Sequence, residues 1–157
     1  MTEEIHASVH AIWYEFIAEN IEFSRKPMPE SWHFGITKQD ADNCVFLIKA
    51  GIKTAASMPM ESYLNYETAI PADGDLAIIT DWDGVAHCII QTKNVEIIPF
   101  NEVSEEHALN EGEGDQTLAY WKKVHWEFFS KDLNSFGAFP EEDMMVVCET
   151  FEMIYSK

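Results

Sequence analysis

The stretch "DGDLAIITDWDGVAHCIIQTKNVEIIPF", residues 73–100, constrains the fold more than any other part of the chain. Two runs rich in Ile, Val and Thr flank Asp83-Gly84, a dipeptide suited to a tight hairpin because its glycine adopts positive φ without penalty. A pair of antiparallel strands must therefore sit mid-chain, and the remaining segments have to cover it. A further β-like run, "MMVVCETFEMIY", closes the chain.

The covering segments read as helices. From about 4 to 23, Ile5, Val9, Ile12, Trp13, Phe16 and Ile17 recur at helical spacing until Pro27 and Pro29 forbid continuation. Thr37 is placed to cap a helix through "KQDADNCVFLIKA", with Ala41, Cys44, Val45, Leu47 and Ile48 as its apolar stripe and Gly51 as its stop. A short helix is expected after Pro59, with the proline in its first turn. An acidic loop follows the hairpin. Asp115 then caps a helix whose Leu118, Trp121, His125 and Phe128 form one face. Neither internal repeats nor a Ser/Gly-rich linker interrupts the pattern, so residues 1–157 read as one α+β domain.

Charge narrows the functions. The 28 acidic residues outnumber the 10 Lys and Arg for a net charge of -18, and Arg25 is the only arginine. Such a surface repels phosphate backbones, so unspecific binding to long duplexes is excluded, and bidentate guanidinium clamps cannot carry recognition. With no long uncharged apolar run and an acidic start, "MTEEIHASVH", the chain is expected to be cytoplasmic and not to engage membranes. Cys44, Cys88 and Cys148 lack metal-knuckle or disulfide spacing and are expected to be reduced and mostly buried.

"GIKTAAS", residues 51–57, places Lys53 just beyond the apolar helix. A lysine after a glycine stop is either a solvated cation complementing the helix dipole or the charge of a pocket. Taken in order, "GIKTAAS", "DWDGVAHCIIQTKNVEIIPFNEV", "HALNEGEGDQTLAYWKKVHWEFF" and "VVCETFE" resemble the ASCH domain proteins. The resemblance runs from "SWHFG" at 31–35 to "VVCETFE" at 146–152. It implies a PUA-like fold, a small β-barrel flanked by helices, and a link to RNA and modified nucleosides.

Some small members of the family hydrolyse N4-acetylcytidine with a lysine, a threonine three residues later and a glutamate. Aligned by motif, the lysine falls on Lys53 and the glutamate on Glu111, but the threonine position holds Ala56. Thr54 and Ser57 are the neighbouring hydroxyls. Other members are described as ribonucleases that also depend on the lysine.

A desolvated lysine keeps its charge only beside a carboxylate, so Lys53 and Glu111 form a natural unit for proton transfer or for anchoring a ligand. A plain structural ion pair uses the same residues. Two functions from different classes follow: a module binding a nucleoside, nucleotide or short single-stranded RNA, and a hydrolase, amidohydrolase or ribonuclease, in which Lys53 and Glu111 assist attack by water, Thr54 or Ser57. A dimerising interaction domain without a working site is the third, and a homodimer fits any of them.

Trp32, Phe34 and Trp82 are candidate stacking surfaces for unpaired bases, although aromatic runs of this kind also build cores. His125 is expected in the core or on a pocket wall rather than as a free base. "EGEGD" offers carboxylates to a hard cation but lacks calcium-loop spacing, so it is read as a glycine-shaped turn with a helix cap. His6 and His10 read as surface residues; no metal and no cofactor are expected.

Overall fold

A computed structural model describes residues 4–157; the first three residues of the acidic start lie outside them. Helix α1 spans Ala7–Glu19 and ends in a short 3₁₀ turn at Ile21–Phe23, so the continuous helix is shorter than the periodic stretch. His6 caps it by accepting from the Ser8 N–H. Strand β1 is Ser31–Trp32, and α2, Lys38–Lys49, begins at Thr37, whose hydroxyl accepts from the Asp40 N–H. Gly51, at φ 76°, stops it, a left-handed conformation that costs glycine nothing.

Strand β2 is Ala55–Pro59 and α3 is Met60–Tyr66. Pro59 closes the strand and stands just before the helix rather than in its first turn. Strands β3, Leu76–Thr80, and β4, Ala86–Pro99, form the expected hairpin. Its turn is wider than Asp83-Gly84 alone, because the Asp81 carboxylate accepts from the N–H groups of Asp83 and Val85 at 3.0 and 3.1 Å.

The acidic segment expected to be a loop contains α4, Glu105–Glu111, capped by Ser104, whose hydroxyl accepts from the His107 N–H at 3.0 Å. Helix α5, Leu118–Asn134, is capped by Thr117 and not by Asp115, whose carboxylate instead accepts from the Thr117 N–H and hydroxyl. Strand β5 is Met145–Ser156.

The sheet order β1-β3-β4-β5-β2 leaves β1 and β2 at its edges. The described strands therefore make an open sheet, not a closed small barrel; β1 is two residues long and pairs with β3 alone, whereas closure needs every strand paired on both sides. The chain divides into two compact units, one of residues up to 51, 75–91 and 152–157, the other of 52–74 and 92–151. Val9, Ile12, Trp13, Phe16, Ile78, Ala86 and Ile89 form the buried core of the first. Phe100, Val103, Ala108, Trp121, Phe129, Val146 and Cys148 form that of the second. Cys44, Cys88 and Cys148 are buried thiols outside any disulfide among the described residues, and burial pushes the Cys88 and Cys148 thiols up to about 12. Among the described residues no helix is long and apolar enough to cross a membrane.

Candidate functional site

Lys53 and the residues gathered around it, Ser57, His107, Glu111, Glu113, Trp121 and His125, belong to the second unit. Lys53 is 2% exposed, so it is not a solvated terminus. Its ammonium faces Glu111 Oε1 at 3.2 Å, Glu113 Oε2 at 3.3 Å and the Glu111 carbonyl oxygen at 3.4 Å. The last contact puts a cation on the negative end of a helix, but the helix is α4, not the α2 that precedes Lys53 in sequence. Gly112, at φ 73°, turns the chain out of α4. A Cβ there would stand 2.7 Å from the Ile52 carbonyl oxygen, so only glycine lets this turn pack against the segment carrying Lys53.

Strand alternation decides which hydroxyl joins the cluster. In β2 the side chains of Ala55, Ser57 and Pro59 share one face, and Ala56 points to the other. Ser57 Oγ lies 2.6 Å from Glu111 Oε2 and 2.6 Å from His107 Nε2. Thr54, before the strand, instead ties its N–H and hydroxyl to the Asn110 carbonyl oxygen at 2.7 and 3.4 Å. It holds β2 against α4 and leaves the carboxylate to Ser57.

Helix α5 supplies the remaining wall, because Trp121, His125, Phe129 and Leu133 recur every four residues and are all buried. Trp121 Nε1–H donates to Glu111 Oε2, and the His125 ring stacks on the indole with centroids 4.4 Å apart. His125 Nδ1 lies 2.9 Å from the Trp121 carbonyl oxygen, which can only accept, so Nδ1 carries a proton. Its Nε2 lies 3.3 Å from Glu111 Oε2. A lone pair facing a carboxylate at that distance would be repelled, so the geometry favours a proton on both nitrogens. Burial opposes that charge, but the neighbouring Glu111 carboxylate outweighs it and raises the His125 pKa above 6.5. Burial likewise works against the Glu111 carboxylate, yet Lys53, His125 and the hydrogen bonds from His107 and His125 hold it well below 4.5.

The cluster thus brings the carboxylates of Glu111 and Glu113 to the Lys53 ammonium and the His125 ring, and Glu111 is its hub. Among the described residues no buried side-chain polar atom lacks a partner. Glu113 is the open member, its side chain 27% exposed. Glu111, Glu113 and His125 bring ligand atoms within 4.8 Å of one another, a grouping able to hold a metal ion. The Lys53 ammonium already occupies the two carboxylates, so a metal would have to displace it.

Of the residues singled out in sequence, Lys53, Glu111, Ser57 and His125 come together, while Thr54 bonds to the carbonyl of Asn110, the residue before Glu111. Trp32, Phe34 and Trp82 belong to the first unit. There Trp32 and Phe34 meet edge to face at 4.6 Å and Trp82 lies 5.0 Å from His33. Trp32 and Trp82 are exposed rather than core. His6 and His10 are exposed. His107, Trp121 and, within the "EGEGD" turn, Glu113 are the members that sequence reasoning missed as site residues. For the first two the signal was present: His107 is four residues before Glu111, on the same helical face, and Trp121 four before His125.

An open α+β sheet with helices carrying a buried Lys/Glu/His cluster onto a β-strand hydroxyl defines the class. The chain belongs to the ASCH domain family, whose model matches residues 30–155. It is similar to the crystal structure of an ASCH domain from Lactobacillus crispatus JV V101, with a TM-score of 0.90 and 31% identity over 98% of each chain. It is also similar to a protein from Enterococcus faecalis V583, with a TM-score of 0.86 and 32% identity, covering 94% of this chain and 88% of the other. Among curated proteins none matches.

Proposed function

We propose that the protein recognises a nucleoside or the base of a short single-stranded RNA at the Lys53–Glu111 cluster. The observation that carries this reading is an ion cluster whose Lys53 and Glu111 are 2% exposed while one of its carboxylates, Glu113, reaches solvent at 27% exposure. A partly exposed carboxylate selects N–H groups, such as the exocyclic amine or ring N–H of a base, and repels phosphate. The charge of -18 points the same way. Specificity then comes from buried polar groups, which an unmatched ligand leaves unpaired.

A second reading, hydrolysis of an amide on such a base, is favoured by Ser57 Oγ at 2.6 Å from Glu111 Oε2. Glu111 would accept the serine proton as Oγ attacks the carbonyl carbon and pass it to the departing base amine as the C–N bond breaks, and water would then release the acyl group from Ser57 as the free acid. Its low proton affinity makes Glu111 a weak base in the resting cluster, so chemistry requires the ligand to draw Lys53 or His125 away first. Binding comes before reaction in either case.

Calorimetric titration and product analysis with N4-acetylcytidine, cytidine and a short single-stranded oligoribonucleotide separate the two, using the wild type, Ser57→Ala and Lys53→Met. Binding kept by Ser57→Ala, lost in Lys53→Met and without turnover supports recognition alone. Turnover abolished by Ser57→Ala supports the hydrolase. A wild type that neither binds nor converts any of the three would overturn both and leave a structural ion cluster.

A further inference from the structure

The second unit carries an apolar groove of about 510 Å³, with Met60, Leu64, Leu133, Phe139, Met144 and Met145 among its lining residues. Leu133 is fully buried and forms the floor, while Phe139 and Leu64 are 75% and 66% exposed. Large apolar side chains left in water at a concave site mark a surface built to be covered. Three methionines give it walls that adapt to varied apolar shapes.

Charge says what covers it. Glu61 and Glu141 line the groove, and Glu142 and Asp143 are exposed next to it in sequence. The two segments that build most of it, "PMESYLNYE" and "AFPEEDMM", contain five carboxylates and no Lys or Arg. A second copy of this chain would bring the same carboxylates against these, and an anionic lipid surface would be repelled. We propose that the groove docks a basic amphipathic helix of another protein, with apolar side chains seated on Leu64, Leu133 and Phe139 and flanking Lys or Arg facing Glu61 and Glu141. Helices engage such grooves through anchors spaced three and four residues apart.

The test uses the full chain and two synthetic helical peptides of one amphipathic pattern, one of Leu and Lys and one of Leu and Glu. Affinity is read by fluorescence anisotropy and location by the methionine methyl NMR signals. The Leu/Lys peptide is expected to bind, to shift Met60, Met144 and Met145 and to leave Met28 and Met153 unmoved. Phe139→Ser, at an exposed position that leaves the core intact, should weaken it about tenfold, as loss of an interface anchor does. Glu61→Lys with Glu141→Lys should weaken it further and allow the Leu/Glu peptide to bind. Binding that is indifferent to Phe139→Ser, or shifts spread over all the methionines, would reduce the effect to general charge attraction and overturn the proposal. So would a dimer of the free protein that Phe139→Ser dissolves, because the groove's occupant would then be a second copy.

Discussion

The first unit closes around apolar side chains, Trp13 and Phe16 against Ile78 and Ile89, while the second buries Lys53, Glu111, His107 and His125 alongside its own aromatic core. Apolar burial gains free energy wherever it occurs, roughly 25 cal/mol per Å². Burying charges costs several kcal/mol per ion and is offset only when every charge finds a partner in good geometry. The second unit thus carries an arrangement that stability alone does not call for, since apolar residues of similar volume would often hold a fold as well. That is where a binding site is to be sought.

Four substitutions set the two units apart. Phe16→Ala, which empties the middle of the first core, should cost about 4 kcal/mol in chemical denaturation and leave ligand affinity unchanged where the protein remains folded. Loss of both together would mean that the two regions are not separable. Lys53→Met should cost about 3 kcal/mol, because it strands two carboxylates, and should abolish ligand binding. A loss of stability without a loss of binding would return Lys53 to a structural role.

Gly112→Ala should cost about 2 kcal/mol in thermal unfolding, through its positive φ and its collision with the Ile52 carbonyl. An unchanged melting temperature would show that the turn carrying Glu113 is not held by this contact.

The smallest effect is a pH dependence confined to the second unit. His125 has a folded pKa raised above 6.5, so its contribution is fully present below 6.5 and is lost as pH climbs through the raised value. Glu111 is depressed below 4.5, so its contribution is present above 4.5 and is lost as pH falls through the lowered value. The stability difference between wild type and His125→Gln should therefore be greatest between 4.5 and 6.5 and shrink at higher pH. The difference between wild type and Phe16→Ala should not follow that profile.

Local signals were legible where local physics decides. Thr37 and Gly51 bracket α2 because a side-chain cap and a left-handed glycine act within one turn of chain. The four-residue recurrence along α5 placed His125 on a buried face. Helix α4 escaped notice because seven residues are too few for a hydrophobic period to stand out among acidic neighbours. The Asp115 and Thr117 assignments differ because both residue types cap, and only the fold shows the aspartate holding the threonine that holds the helix. Ser57 could not be chosen over Ala56 by motif spacing, since the choice depends on which way a strand faces across a pairing with residues 146–150. The absence of barrel closure is likewise a matter of long-range pairing.

The central claim is that Lys53 and Glu111 form one unit kept for a ligand. A double-mutant cycle of Lys53→Met with Glu111→Gln tests it most directly when stability and nucleoside affinity are read on the same four proteins. Coupling of about 0.5–3 kcal/mol in stability is predicted, with the double variant losing less than the two single losses added and binding absent from all three variants. Additive stabilities, or a double variant that still binds with wild-type affinity, would contradict the account.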